Sequence, residues 1–274
     1  MSPMKLNSSA YVAEQYKDSA NVDVRINFHR RFSTNQYGWH PWVFDHLLGL
    51  PPRCRILELG CGPGSLWGQN LGRILPGWAV MLSDFSPGMV QEARQNLQAG
   101  QRHFKFAVVD APSLPFGDAS HDAVIANHML YHVPDRSQAF AEIRRILKPG
   151  GRFYASTNGK THLQELHDLV FRFARCSGPM GKNPFEVFAL ENGLDQMARW
   201  FSGVTLCRYA DALVVTEAAP LVAYILSSNT WWSSTIYNKT TELTRFVEQE
   251  LALRGAIRIT KDSGLFTAFR DNAP

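Results

Sequence analysis

The chain has 274 residues, 45% of them hydrophobic and 19% charged, with a formal net charge of +4. That length is enough to bury the core of one large domain, and that composition excludes a disordered, fibrous or membrane-embedded chain. The weak basicity, with no Lys/Arg run beyond the pairs Arg30–Arg31 and Arg144–Arg145, gives nucleic acid no electrostatic footprint, so it is not an expected partner. The cysteines Cys54, Cys61, Cys176 and Cys207 form no C-x-x-C pair and no zinc spacing, so they are expected to be reduced thiols of a cytoplasmic protein, and no metal is expected. The polar first residues hold no apolar signal core, and the longest apolar run, residues 218–226 broken by Pro220, is too short for a membrane span.

In chain order, Ser9 to Tyr16 reads as a helix, whereas Val24, Ile26, Phe28 and Phe32 fit neither the helical nor the strand period. An aromatic and polar stretch, STNQYGWHPW, leads into a helix from about Trp42 to Leu48. Residues Arg55 to Leu66, RILELGCGPGSL, then give a buried strand, a glycine turn and a helix start. Such a turn brings bare backbone and amide N–H groups against a ligand. Its glycines fall as G-x-G-x-G, at Gly60, Gly62 and Gly64. The dinucleotide fingerprint would need a third glycine where Ser65 stands, and a phosphate loop would need a lysine that is absent between Arg55 and Trp78. Glu58, two residues before the first glycine, repels a pyrophosphate but accepts hydrogen bonds from an ammonium, so the loop favours a zwitterionic or cationic nucleoside.

The sequence ELGCGPG after an apolar strand resembles motif I of the class I S-adenosylmethionine-dependent methyltransferases, in particular the ubiquinone/menaquinone-type and small-molecule group. The resemblance implies a Rossmann-like α/β fold: a mostly parallel seven-stranded sheet with helices on both faces. It also implies a cap of residues 1–50 over the cleft, and a methyltransferase domain over 51–274 with a lid insertion at about 157–260. From the cap, Tyr16 and Arg31 are expected to reach the cofactor, and Tyr37 and Trp39 the substrate.

The chain beyond the loop agrees with that resemblance. A short helix over Leu66 to Leu75 and a strand over Ala79 to Leu82 precede Asp84, which lies 26 residues after Glu58. At the carboxyl end of the second strand of a doubly wound sheet an acid faces the ribose of a nucleoside held by the first loop. Ser86-Pro87 opens the next helix, with Phe85 and Met89 near the adenine. A strand over Phe104 to Val109 ends at Asp110-Ala111, which the resemblance assigns to the adenine amino group and ring nitrogen. The buried strand Ala123 to Ala126 leads into Asn127, His128, Tyr131 and His132, where the sheet order reverses and the methyl group would sit. The helix Phe140 to Leu147 and the turn KPGG lead to a fifth strand, Arg152 to Ser156.

Past residue 157 helices are expected at 163–176, 185–190, 193–200, 220–227 and 240–253, with short strands at 204–209, 212–215, 256–261 and 265–269. The cofactor set is therefore Glu58, Gly60, Cys61, Gly62, Gly64, Asp84, Phe85, Met89, Asp110, Ala111 and Asn127, with Tyr16 and Arg31. The expected substrate pocket is Tyr37, Trp39 and Tyr131. His132 and, second, His128 are the candidate general bases, because His titrates near neutrality and both follow the fourth strand; His29 and His40 of the cap rank below them. Related enzymes carry a His-His pair at this turn, and here Tyr131 replaces the first. Flanking aromatics (Trp39, Trp42, Phe171, Phe173, Phe185, Phe188, Trp200, Trp231, Trp232) point to an apolar or aromatic small-molecule acceptor for methyl transfer from S-adenosylmethionine. The alternative is a non-methylating or accessory S-adenosylmethionine-binding protein on the same fold; a nucleic-acid methyltransferase ranks below both, since no [ND]-P-P-[YF]-like segment follows the fourth strand.

Overall fold

The computed structural model describes residues 20–174, 187–227 and 236–271. Seven strands form one sheet: β1 (Arg53–Leu59), β2 (Gly77–Asp84), β3 (Phe104–Val108), β4 (His121–Asn127), β5 (Leu147–Asn158), β6 (Ser202–Val215) and β7 (Ile257–Phe269), in the order β3-β2-β1-β4-β5-β7-β6. The first five run parallel, and β7 runs antiparallel to both of its neighbours. The chain starts in the middle of the sheet at β1 and builds outward first through β2 and β3, then through β4 and β5. The carboxyl ends of β1 and β4 therefore flank a crevice at the point of reversal, where open α/β sheets bind ligands.

Helices cover both faces, as the near-continuous apolar runs of β1 and β4 require. On one face α2 (Trp39–Leu47) packs Val43, Phe44 and Leu47 against Ile56, Trp67 and Trp78. On the other, α5 (Arg136–Ile146) packs Ala139, Phe140, Ile143 and Ile146 against Phe153, Phe188 and Phe201. A third apolar cluster lies at the β6–β7 end of the sheet. There α1 (Ala20–Phe32), α6 (Gln164–Ala174), α8 (Ala218–Ser227) and α9 (Thr240–Arg254) bury Phe28, Leu169, Tyr224, Ile225 and Val247.

Several elements differ from the sequence reading. The segment 22–32 is helical: Phe28 and Phe32, four residues apart, share a buried face, and His29, Arg30 and Arg31 sit in the last turn, where cations favour the helix dipole. The helix expected at 66–75 is one turn only, α3 (Ser65–Gly68), followed by a 3-10 turn at Leu71–Arg73. Asn70 stops it, because its buried side chain donates to the Leu66 carbonyl at 2.7 Å and turns the chain. The paired short strands expected at 204–215 and 256–269 are single long strands. Asp211 does not break β6, because its carboxylate is used inside the fold, and Gly264 does not break β7. A Cβ there would stand 2.8 Å from the Cys207 carbonyl, so glycine is what lets the two strands approach. Of the helix expected at 185–190, residues 185–186 lie outside the described residues and 188–190 are not helical; Thr157 Oγ1 donates to the Phe188 carbonyl at 2.7 Å and holds that segment on the sheet. KPGG lies within the β5 span, with Gly150 at φ 73°. Among the described residues the remaining α-helices after β2 are α4 (Pro87–Asn96) and the short α7 (Gly193–Met197).

The segment after α1 is fastened to the far sheet edge. Ser33 bridges Leu213 of β6, and Thr34 N–H donates to the Ala212 carbonyl at 2.8 Å. The expected helix at 9–16 lies outside the described residues.

Candidate active site

Beyond the carboxyl ends of β1, β2, β3 and β4 lies a cavity of about 690 Å³. Its floor is the glycine loop. Gly60, Gly62 and Gly64 all have positive φ (68°, 52° and 81°). A Cβ on Gly60 would stand 2.7 Å from Met129 Cβ, whereas one on Gly62 would meet nothing within 4 Å, so the middle of the loop faces open cavity. Cys61 N–H donates to the Ser83 carbonyl at 2.9 Å, tying the loop to the end of β2. Burial pushes the Cys61 thiol well above its ordinary pKa, so it stays protonated.

Asp84 organises the loop. One carboxylate oxygen accepts from Gly62 N–H and the other from Ser86 N–H, each at 2.9 Å. Burial raises its pKa, and the backbone donors at Ser86, Gly62 and Phe85 oppose that rise. Ser86 caps α4 by accepting from Met89 N–H, which seats Met89 in the cavity wall beside Phe85. Val109 N–H donates to the Asp84 carbonyl at 3.0 Å, so the end of β3, with Asp110 exposed and Ala111 buried, joins the same wall.

Glu58 is 2% exposed and accepts from Trp67 Nε1 at 2.6 Å and from Asn127 Nδ2 at 3.2 Å. Burial pushes its pKa up to about 8, against the pull of those two donors and with a further push from Asp84. Asn127 in turn accepts from Ser156 Oγ at 3.0 Å, so Glu58, Asn127 and Ser156 cross three adjacent strands.

His128 follows at φ 49°, a left-handed conformation uncommon for a non-glycine residue. Its N–H is shared between Ser156 O at 3.2 Å and Ser156 Oγ at 3.1 Å, and its ring lies 5.0 Å from Trp39. Burial, then His40 and Lys261, lower its pKa to about 3, far from the value a base working near neutrality needs. His132 and Tyr131 line the same wall with ring centroids 4.5 Å apart.

The far half of the cavity is built by groups distant in sequence. Arg25 and His29 come from α1, His40 from α2, His162 from the loop after β5, Tyr224 from α8, and Lys261 and Ser263 from β7. His29, His40 and Lys261 are brought together with Trp39, of which only His29, His40 and Trp39 stand out in the sequence as cap residues. Lys261, His162 and Tyr224 carry no motif, and Trp67, the partner of Glu58, reads as an ordinary core aromatic.

Two expected residues are elsewhere. Arg31 points outward to Glu217, at 2.5 Å with both side chains about half exposed, and Arg25 and Arg30 of the same helix line the cavity instead. Tyr37 is 54% exposed and donates to the Asp45 carboxylate. Gly64 lies behind the loop as the residue before α3, and Tyr16 lies outside the described residues. Of the flanking aromatics, Trp39 lines the cavity; Phe188 is fully buried core, Trp200 and Phe173 pack on core clusters, and Phe185, Trp231 and Trp232 lie outside the described residues. Among the described residues no three His, Cys, Asp or Glu side chains are placed to hold a metal ion, and no helix is long and apolar enough to cross a membrane.

Comparison with known proteins shows what this geometry is similar to. Residues 57–155 match the family model described as "Methyltransferase domain". The O-methyltransferase cnsE of Penicillium expansum is 41% identical over 128 residues, 45% of each chain. Demethylmenaquinone methyltransferase of Thermus thermophilus is 36% identical over 114 residues, 42% of this chain and 51% of that one. The chain thus spans about half the length of these curated relatives. Among solved structures, that of the [4+2]-cyclase SpnF superposes with a TM-score of 0.61 at 15% identity, covering 97% of this chain and 98% of that one, a likeness of fold. The chain has a Rossmann-like fold of the kind this solved structure shares, and residues 57–155 within it match the methyltransferase domain model.

Proposed function

We propose that the protein transfers a methyl group from S-adenosylmethionine to a small organic acceptor. One observation carries this reading: the cavity that opens over the Gly60–Gly64 loop, between Glu58, Asp84 and Asp110, continues without a break to Trp39, His128, Tyr131 and His132. The residues fit the cofactor. Open space at Gly62 admits a ligand against the backbone, and each Asp84 oxygen, already holding one loop N–H, keeps a lone pair for a ribose hydroxyl. Asp110 and the Ala111 N–H suit the adenine edge, with Phe85 and Met89 against its faces. Glu58, steered by Trp67 and Asn127, suits the ammonium of the methionine moiety, and Cys61 and Gly62 supply the backbone beneath it.

When bound, the sulfonium supplies an activated methyl group whose C–S electron pair leaves with sulfur, while the acceptor's lone pair forms the new bond. The protein's part is then alignment, exclusion of water and, for a protonated acceptor, removal of one proton. Trp39 and Tyr131 wall the acceptor space. His132 is the proton acceptor in this reading. His128, held neutral and strained by Ser156 and Trp39, positions the acceptor rather than taking its proton.

A second reading, a non-methylating enzyme on the same fold, gains support from the cyclase SpnF as a structural neighbour. An accessory protein is less favoured, since the acceptor space is an open cavity rather than one filled by side chains. The two enzyme readings separate on one assay: protein incubated with S-adenosylmethionine and a panel of phenols, carboxylic acids and amines, read by S-adenosylhomocysteine release. Acceptor-dependent release that falls at least tenfold in His132→Asn supports methyl transfer. Conversion of an acceptor without any release would replace it with the second reading.

A further inference from the structure

The two halves of the cavity carry opposite charge. Its lining carboxylates, Glu58, Asp84, Asp110 and Asp135, all stand at the ends of β1, β2 and β3 or in the loop after β4. The far half is lined by Arg25, Arg30, Lys261 and the imidazoles of His29, His40, His128 and His162, with no lining carboxylate among the described residues. Lys261 is held in place from behind: its Nζ donates to Asp211 at 2.5 Å, and that carboxylate, with no side-chain exposure, also accepts from Ser33 Oγ at 2.5 Å and Asn35 N–H at 3.0 Å. The same ammonium lies 5.7 Å over the ring of Tyr209, which packs edge-on to Trp39 at 5.4 Å.

His162 is 8% exposed and its Nδ1 accepts from Asp262 N–H at 3.2 Å, so its proton resides on Nε2, a donor on a ring that lines the cavity. His29 pairs through Nε2 with Tyr224 Oη at 3.3 Å, while its buried Nδ1 has no hydrogen-bond partner among the described residues. Burial is the chief cause that lowers all three imidazoles: His29, pushed further by Lys261, to about 3; His40, against a hydrogen bond with Gln69, to about 4; and His162, pushed further by His29, His128 and Lys261, well below its ordinary value. The groups that face one another here are Arg25, Arg30, His29, His40, His128, His162, Tyr224 and Lys261, and the Asp211 carboxylate behind Lys261 is already shared. Imidazole donors and an ammonium turned to one cavity, with the ammonium's carboxylate partner behind it, suit an anion, and an apolar wall at Trp39 suits an apolar body beside it.

We infer that the acceptor is a small organic acid, its carboxylate held by Lys261 and the His162 and His29 imidazoles, and its apolar body against Trp39. This rests on the methyltransferase reading above and adds the substrate class. The test is calorimetry on the protein saturated with S-adenosylhomocysteine, titrated with benzoate, cinnamate and octanoate, each against its primary amide. At least one acid should bind tenfold or more tighter than its amide. Lys261→Gln and His162→Gln should each cut that acid's affinity about tenfold, leave the amide within twofold, and leave S-adenosylhomocysteine binding and the melting transition of His162→Gln unchanged. Amides that bind as tightly as every acid, or acid binding indifferent to both substitutions, would overturn the inference while the cofactor still binds. Failure of S-adenosylhomocysteine itself to bind would instead overturn the methyltransferase reading.

Discussion

Replacing Glu58 by Gln should stabilise the ligand-free protein at pH 7 and weaken its hold on the cofactor. Glu58 is 2% exposed and its pKa stands at about 8 against an ordinary 4.5. A carboxyl raised in the folded state contributes stability that is fully present below pH 4.5 and is lost as pH rises through 8. At pH 7 the loss amounts to about 3 kcal/mol relative to acid. Glutamine removes the titration. It keeps one acceptor oxygen for Trp67 Nε1 but sets its own amide against Asn127 Nδ2, a cost of about 1 kcal/mol. The net gain near pH 7 is therefore about 2 kcal/mol, and near pH 4.5 the variant should be the less stable by about 1 kcal/mol. Urea denaturation of both proteins between pH 4.5 and 8.5 measures this: the two stability curves should cross. In the proposed site a ligand ammonium would restore the ionised form, so cofactor binding at pH 7 should release close to one proton from the wild type and none from Glu58→Gln, read by calorimetry in buffers of different ionisation enthalpy. Parallel curves, with equal proton release, would refute the assignment of the titration to Glu58.

Gly60→Ala forces a Cβ to within 2.7 Å of Met129 Cβ at a φ of 68°, and should cost about 2–3 kcal/mol in thermal or urea unfolding, with partial recovery in Gly60→Ala/Met129→Ala. Asp211→Asn removes the charge partner of a nearly buried Lys261 and one anchor of the cap; a loss of about 3 kcal/mol is expected from equilibrium unfolding. The Asp211 carboxyl is pushed up by burial but held below its ordinary value by Lys261, Ser33 and Asn35, so its contribution is present above pH 3.8 and lost as pH falls through its folded value; acid unfolding of Asp211→Asn should lack that component. Trp67→Phe deletes the donor to Glu58 while keeping most of the buried ring, so the Glu58 titration in the denaturation series should move to higher pH.

Much of the fold is legible because it is written locally. The Arg55–Leu66 stretch, Ser86-Pro87 and the acids at 84 and 110 each announce a strand end or helix start within a few residues, and the structure puts them around one cavity. Legibility fails where a residue's role depends on a distant partner. Asp211 reads as a strand break until Ser33 and Lys261 are beside it, and Gly264 as a turn until the Cys207 carbonyl shows how closely β6 passes. Arg31 and His29 sit two residues apart on one helix, and nothing local says that the first faces Glu217 and the second the cavity. The basic half of the cavity draws its residues from five separate segments, none with a spacing to recognise. Aromatic content misleads for the same reason: Phe188 and Trp200 look like pocket walls in sequence, but the sheet needs them as core.

The most direct measurement is calorimetric titration of the protein with S-adenosylmethionine and S-adenosylhomocysteine, on wild type and on Asp84→Ala. Asp84 anchors Gly62 and Ser86 and has lone pairs left for the ribose, so micromolar binding of both ligands is predicted in the wild type, weakened at least a hundredfold in the variant. Absence of binding to the wild type, or binding untouched by the substitution, would contradict the placement of the cofactor over the glycine loop.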